Sequence, residues 1–232
     1  MDREPKNMTN NRKGTETMWK KMYIAGILVL TVLVSIGVSN RTESKNSKMS
    51  PDDIQSAYRE SFKDEKSKDY GAAINALKPV LSEYPDGYTV NLRLGWLNYL
   101  NEDYEASIKC YDYALSIIPA SLEAKIGSTL PLLALEEYDD VADTLNQVIK
   151  VDPLNYTANL RLAYVLRLQK KYDAAIKASN KMLAIYPTDV SFMTELGLST
   201  YAKGEKDAAT DIMWNVLVLD PENTTAKEYF SE

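Results

Sequence analysis

The chain of 232 residues contains no histidine. That removes the usual general base at neutral pH, the usual activator of a serine or cysteine nucleophile, and the commonest metal ligand. Cysteine is nearly as scarce. Cys110 stands alone, so neither an intrachain disulfide nor a cysteine cluster for zinc or iron–sulfur binding can form, and the residue reads as an ordinary helix position. The nine glycines build no phosphate-cradling loop. Alternation of apolar and polar residues at strand period is not sustained anywhere. Acidic pairs do occur, Glu136-Glu137 and Asp139-Asp140, but they flank Tyr138 in a polar break and read as a solvated turn, not as an acid–base pair. The expectation is a non-catalytic protein with no cofactor and no metal.

Positive charge is in deficit, with 27 Lys and Arg against 33 Asp and Glu, and it is unevenly spread. Residues 1–23 carry +3, while the chain from residue 41 onward carries −9. An acidic soluble portion argues against a phosphate backbone as partner, so no nucleic acid is expected. Long apolar runs are also rare; the single one is Met22–Asn40, 19 residues without a charge. As a helix it reaches about 28 Å, close to the thickness of a bilayer's hydrocarbon. Lys20 and Lys21 precede it, and Trp19 and Tyr23 sit where an aromatic belt lies. The reading is a short basic leader (1–21), a transmembrane helix or uncleaved anchor (22–40) and a polar tether (41–50). The amino terminus is then cytoplasmic and the remainder extracytoplasmic, periplasmic in a bacterium. A cleaved signal peptide is the rival, because Ser35, Gly37 and Ser39 suit the approach to a cut.

Six of the nine prolines are ordered. Pro51, Pro85, Pro119, Pro153, Pro187 and Pro221 stand 34 residues apart, the mark of a copied unit. Other residues keep the same phase: Tyr70, Tyr104, Tyr138 and Tyr172, and Leu81, Leu115, Ile149, Leu183 and Leu217. Small residues occupy two phases, Ser61, Gly95, Thr129, Ala163, Gly197 and Ala73, Ser107, Val141, Ala175, Ala209. Apolar residues inside each unit follow a helical period, as in Ala73, Leu77, Val80 and Leu81. Each unit is therefore two helices, parted by a short polar turn such as Asn101-Glu102-Asp103 and closed by proline. The small residues, one in each helix, let the two backbones approach. A single hairpin cannot bury its apolar face, which is why the units come as an array.

Asn91-Leu92-Arg93-Leu94-Gly95, Tyr104-Glu105-Ala106-Ser107-Ile108, Ala114-Leu115 and Pro119 together resemble the tetratricopeptide-repeat (TPR) signature. The resemblance implies an all-α fold, a right-handed superhelical solenoid of helix hairpins, here preceded by the transmembrane helix. In the family's phase the array 51–232 divides into repeats 54–87, 88–121, 122–155, 156–189 and 190–223, with a capping helix 224–232. Glu60-Ser61 and Ser128-Thr129 depart from the family's leucine-glycine. The charged first helix, from Ile54 to about Lys68, reads as a solvated end cap. Pro131 and Pro79 fall off the lattice inside helices, where a kink at Pro131 and an interruption at Pro79 are expected.

The resemblance also implies a concave groove lined by the first helix of each repeat. Its expected protein-binding residues are Phe62, Trp96, Leu130, Tyr164 and Leu198 at the ninth position, Tyr99, Arg167 and Tyr201 at the twelfth, and Arg93 and Arg161 at the sixth. Aromatic residues and arginine suit a protein interface. The family's clamp for a C-terminal carboxylate is not expected. The positions that would carry it hold Leu92, Trp96, Gly127, Thr157 and Arg161, a single match. The function implied is a membrane-tethered scaffold holding an extended or helical segment of a partner protein, in assembly of an envelope complex. The alternatives are a chaperone for exported proteins and a self-assembling, homo-oligomeric scaffold.

Overall fold

The computed structural model describes residues 49–231; the leader, the apolar segment 22–40 and nearly all of the tether lie outside the described residues. Eleven helices follow one another among the described residues: α1 (Pro51–Lys66), α2 (Tyr70–Glu83), α3 (Tyr88–Leu100), α4 (Tyr104–Ile117), α5 (Leu122–Ala134), α6 (Tyr138–Val151), α7 (Tyr156–Leu168), α8 (Tyr172–Leu183), α9 (Val190–Lys203), α10 (Lys206–Leu219) and α11 (Thr224–Tyr229). Short connections make neighbours antiparallel, so α1 to α10 form five hairpins and α11 stands alone. Among the described residues, no helix is long and apolar enough to cross a membrane.

Both phases of small residues do what their size suggests. Ser61, Thr129 and Ala163 in first helices, and Ala73, Ser107, Val141, Ala175 and Ala209 in second helices, are fully buried. Gly95 and Gly197 are buried as well. A Cβ at Gly95 would lie 2.9 Å from the Tyr111 ring, and one at Gly197 2.8 Å from Met213 Cε. The helices therefore touch through backbone at these points.

Caps and turns repeat too. Ser121, Asn155, Asp189 and Asn223 each accept a hydrogen bond from a first-turn amide of the helix they open. The turn inside each hairpin holds one left-handed residue, at Lys68, Glu102, Glu136, Lys170 and Gly204. Only the last is a glycine, the residue this conformation favours.

Three expectations need correction. The first helix begins at Pro51, not Ile54, because Ser50 and Asp53 form a reciprocal capping box and Pro51 takes the first helical position, where its missing N–H costs nothing. It also ends at Lys66, ahead of Lys68, whose left-handed backbone (φ 63°) is incompatible with helix. Pro79 does not interrupt its helix: α2 runs from Tyr70 to Glu83. Pro79 and Asn75, whose carbonyl loses the bond, are both exposed, so the freed group lies on the solvent side of the helix. Pro131 lies, buried, inside α5, as its place off the proline lattice requires.

The apolar core is divided. One cluster joins α2 to α3 around Leu77, Leu94 and Leu97, a second joins α6 to α7 around Leu145, Val148 and Val165, and a third joins α10 to α11 around Met213 and Val216. These are alternate junctions between hairpins. The junction between α4 and α5 is filled differently. There Tyr111 is buried against two glycines, with a Gly127 Cβ due 2.5 Å from its ring. Polar contacts follow the same two-unit rhythm. Tyr88 shares a 2.7 Å hydrogen bond with Ser121, and Tyr156 donates to Asp189 at 3.2 Å, so each ties the start of one first helix to the cap of the next. At the other junctions an arginine does this work: Arg93 donates to Ser61 Oγ at 3.3 Å, and Arg161 to Thr129 Oγ1. Tyr88-Thr89-Val90-Asn91-Leu92-Arg93-Leu94 and Tyr156-Thr157-Ala158-Asn159-Leu160-Arg161-Leu162 differ at one position only.

Candidate functional site

In the first helices a buried small residue is followed at once by a large one that is exposed or partly exposed. The pairs are Ser61-Phe62, Gly95-Trp96, Thr129-Leu130, Ala163-Tyr164 and Gly197-Leu198. A step of one residue turns a helix by about 100°, so the first member points at the partner helix and the second away from it. Phe62 is 49% exposed, Tyr164 38% and Tyr201 39%; Trp96, Leu130 and Leu198 are partly exposed.

Contacts bind the row into one face. The Arg93 guanidinium stacks on the Phe62 ring at 3.7 Å and pairs with Glu65 at 2.7 Å. The indole of Trp96 donates to the same carboxylate at 2.6 Å. Trp96 lies 5.8 Å from Tyr99, ring to ring, and Tyr99 lies 6.1 Å from Tyr104. Further along, Arg167 sits over Tyr164 at 5.2 Å and forms a forked pair with Glu195, at 3.0 and 3.2 Å. Tyr201 meets Tyr229 edge to face at 5.3 Å, with Lys206 over its ring at 5.7 Å. Leu198 packs on the last apolar cluster. Of the ten expected groove residues, Phe62, Tyr164 and Tyr201 are the most open, whereas Trp96, Arg93 and Arg167 also join neighbouring hairpins.

Arg161 differs from the other two arginines. Its Nη1 donates to the Ile126 carbonyl at 2.7 Å and to Thr129 Oγ1. Burial holds it below the usual arginine value, opposed by the nearby hydroxyls of Tyr99 and Tyr111. Burial in turn pushes the Tyr111 phenol well above the ordinary tyrosine range. Tyr111 and Glu195 escaped sequence reasoning, and Thr129 was read only as a small packing residue. The signal for Glu195 lies in the offsets: Glu65 precedes Arg93 by the interval at which Arg167 precedes Glu195.

The acidic pairs around Tyr138 are exposed. Asp139 accepts from Gln169 at 2.8 Å and pairs loosely with Lys171 at 3.7 Å, as a solvated turn does. Cys110 is half-buried, contacted by Asn98 Nδ2 at 3.7 Å, and burial pushes its thiol up. Among the described residues no group of histidine, cysteine or carboxylates is arranged to hold a metal.

Comparison with known proteins agrees with this architecture. The STIP1 homolog of Dictyostelium discoideum is 26% identical over 113 residues, 48% of this chain and 20% of that protein. The chain thus spans about a fifth of the relative's length. The crystal structure of MamA superposes with a TM-score of 0.64 at 21% identity, covering 75% of this chain and 94% of MamA. YrrB, described as a TPR protein with an unusual peptide-binding site, superposes with a TM-score of 0.65 at 13% identity, covering 81% and 94%. The tetratricopeptide-repeat family model matches residues 65–121 and 132–190, together half of the chain. The chain belongs to the tetratricopeptide-repeat family.

Proposed function

We propose that this protein is a non-catalytic scaffold that holds an extended or helical segment of a partner protein on the face of its first helices. The observation that carries the reading is the set of exposed aromatic side chains on the first helices, Phe62, Tyr164 and Tyr201, the first two directly after a buried small residue. Aromatic side chains bury large area at low entropic cost, and exposed aromatics recurring on one helix of successive hairpins suit an interaction face. The peptide-binding site named for YrrB lies on the same fold. In the proposal residues 22–40 anchor the chain in a membrane, with the amino terminus cytoplasmic and the repeats outside, where tethering raises their effective concentration near envelope partners.

The test uses the full chain in its native membrane, with a photoreactive side chain at Tyr164. Crosslinking to one dominant protein is expected. Tyr164→Ala combined with Tyr201→Ala should abolish co-purification of that protein while leaving helicity intact; undiminished co-purification would remove the groove assignment. The tether is tested by alkaline extraction of membranes, where release of the full chain would contradict it.

A second reading, end-to-end assembly, is favoured by the last hairpin. Trp214 and Val218 lie one turn apart on α10, 56% and 75% exposed, and the Trp214 ring sits 4.6 Å from Phe230. Light scattering separates the readings: concentration-dependent growth that Val218→Asp abolishes would support stacking, and a persistent monomer would end it.

A further inference from the structure

Antiparallel hairpins give the array two edges. One carries the turns inside the hairpins, around Lys68, Glu102, Glu136, Lys170 and Gly204. The other carries the joints between hairpins, where each second helix ends and the next first helix begins. The two edges differ in chemistry. Of the large apolar side chains that stand exposed among the described residues, the inner turns hold only Leu135. The joints hold a row of them, built on two adjacent phases of the 34-residue period: Tyr84, Ile118 and Tyr186 in one, and Val151, Ile185 and Leu219 in the next, between 38% and 69% exposed. Each of the five joints thus contributes at least one. Single exposed apolar residues need no explanation; a station at every joint along one edge, with one leucine along the other, does.

Two observations say what meets this edge. The chain enters the array on it, because Ser50 caps α1 at Pro51. In the anchored reading ten residues, 41–50, separate the apolar segment from that cap, and they reach at most about 35 Å. A first helix such as α3, of 13 residues, sets the opposite edge about 20 Å away. The joint edge is therefore the one the tether keeps nearer to lipid, and tethering makes even a weak contact intramolecular. The second observation is charge. Carboxylates of this edge hold its backbone and its side chains: Asp53 accepts from the Ser50 amide, Asp189 from the Phe192 amide and Asp86 from the Tyr113 hydroxyl. They leave the edge acidic, which suits zwitterionic headgroups and not an anionic surface.

Resting on the anchored reading above, we propose that the joint edge of the array docks on the zwitterionic lipid surface of the membrane that anchors the chain. Ile118, Val151 and Ile185, at three successive joints, enter the boundary between headgroups and acyl chains. Tyr84 and Tyr186 sit at its polar margin, where an amphipathic ring is at home. The partner-binding face of the first helices stays free, since the contact uses only helix ends and joints.

The experiment reconstitutes the full chain in phosphatidylcholine vesicles. Cys110→Ser removes the native thiol, and a nitroxide is attached at Ile118→Cys, at Ile185→Cys or, on the opposite edge, at Leu135→Cys. Electron paramagnetic resonance reads each label's collisions with oxygen, which concentrates in lipid, and with a water-soluble nickel chelate present on both sides of the bilayer. Loss of nickel collision together with gain of oxygen collision is expected at 118 and 185, and neither at 135. In a chain labelled at Ile118→Cys and carrying Val151→Asp and Ile185→Asp, nickel collision is expected to return. Protection that survives both aspartates overturns the proposal, because it would not come from the apolar row. Loss of nickel collision without gain of oxygen collision also overturns it and marks a protein, a second copy included, as the cover. Flotation of the vesicles separates the two readings. A chain that floats with them while all three labels meet nickel equally removes only the docked edge; a chain left behind in the aqueous fraction removes the anchor, and the docked edge with it.

Discussion

Tyr111 occupies the space that a side chain on Gly127 would need: the nearest ring atom, Cε1, lies 2.5 Å from where that Cβ would be. The ring belongs to one hairpin and the glycine to the next, so the contact sets how closely α4 and α5 approach. Gly127→Ala is expected to destabilise by about 1–3 kcal/mol through overpacking, read as a lower urea midpoint. Gly71→Ala is the control. The nearest atom to a Cβ there is 3.9 Å away, and relief of glycine's entropy in a helix should stabilise by about 0.5–1 kcal/mol.

The left-handed turn residues give a prediction of opposite sign. Glu102 and Glu136 hold φ of 61°, where a Cβ is unfavourable by about 1–2 kcal/mol. Replacing either with glycine is expected to raise the thermal midpoint. Gly204→Ala should lower it, although nothing crowds that Cβ position, since the strain there is purely one of backbone. Calorimetry on the three variants checks both directions.

The Arg167–Glu195 pair is nearly enclosed, at 19% and 14% side-chain exposure, and is forked. A double-mutant cycle through alanine should return a coupling of about 1–3 kcal/mol. The exposed Lys171–Asp139 pair should return about 0–0.5 kcal/mol and vanish at high salt.

Alkaline pH should unfold the protein early. Burial raises the Tyr111 phenol above its ordinary value of 10.0, as it does those of Tyr58 and Tyr88. Above pH 10 the unfolded chain releases these protons before the folded one, so the folded state binds more protons and stability falls as pH rises. Below pH 10 the contribution is fully present. Tyr111→Phe is expected to flatten the slope of unfolding free energy against pH by about one proton, measured by denaturation at pH 9 to 11.

Much of the packing was legible at a period of 34. The two small phases, from Ser61 and Ala73 onward, marked buried positions in every hairpin because steric size is a property each residue carries by itself, whereas Gly127, the glycine closest to a neighbouring ring, lies outside both. The first helix start was missed by three residues because Ser50 and Asp53 act through a local reciprocal bond that the proline phase does not report. The alternation of junctions was also missed, although Tyr88 to Leu94 and Tyr156 to Leu162 nearly repeat each other. Aligning all units on one phase averages Arg93 with Gly127, and Tyr88 with Leu122, and so erases a period of two. The candidate face fared similarly. Phe62, Tyr164 and Tyr201 were readable as uncovered side chains from their phase. The ties of Arg93, Trp96 and Arg167 were not, because each depends on which residue the neighbouring hairpin presents.

Alternate junctions also constrain how such a chain can change length. Excising residues 88–121 would set Gly127 against Ser61 and leave Glu65 facing no cation. Excising 88–155 would instead bring Arg161 onto Ser61 and Glu65, where Arg93 stood, and restore the arginine's bonds at the seam. Lineages of this protein should therefore gain or lose hairpins in twos. Removing an odd number of hairpins leaves one seam mismatched.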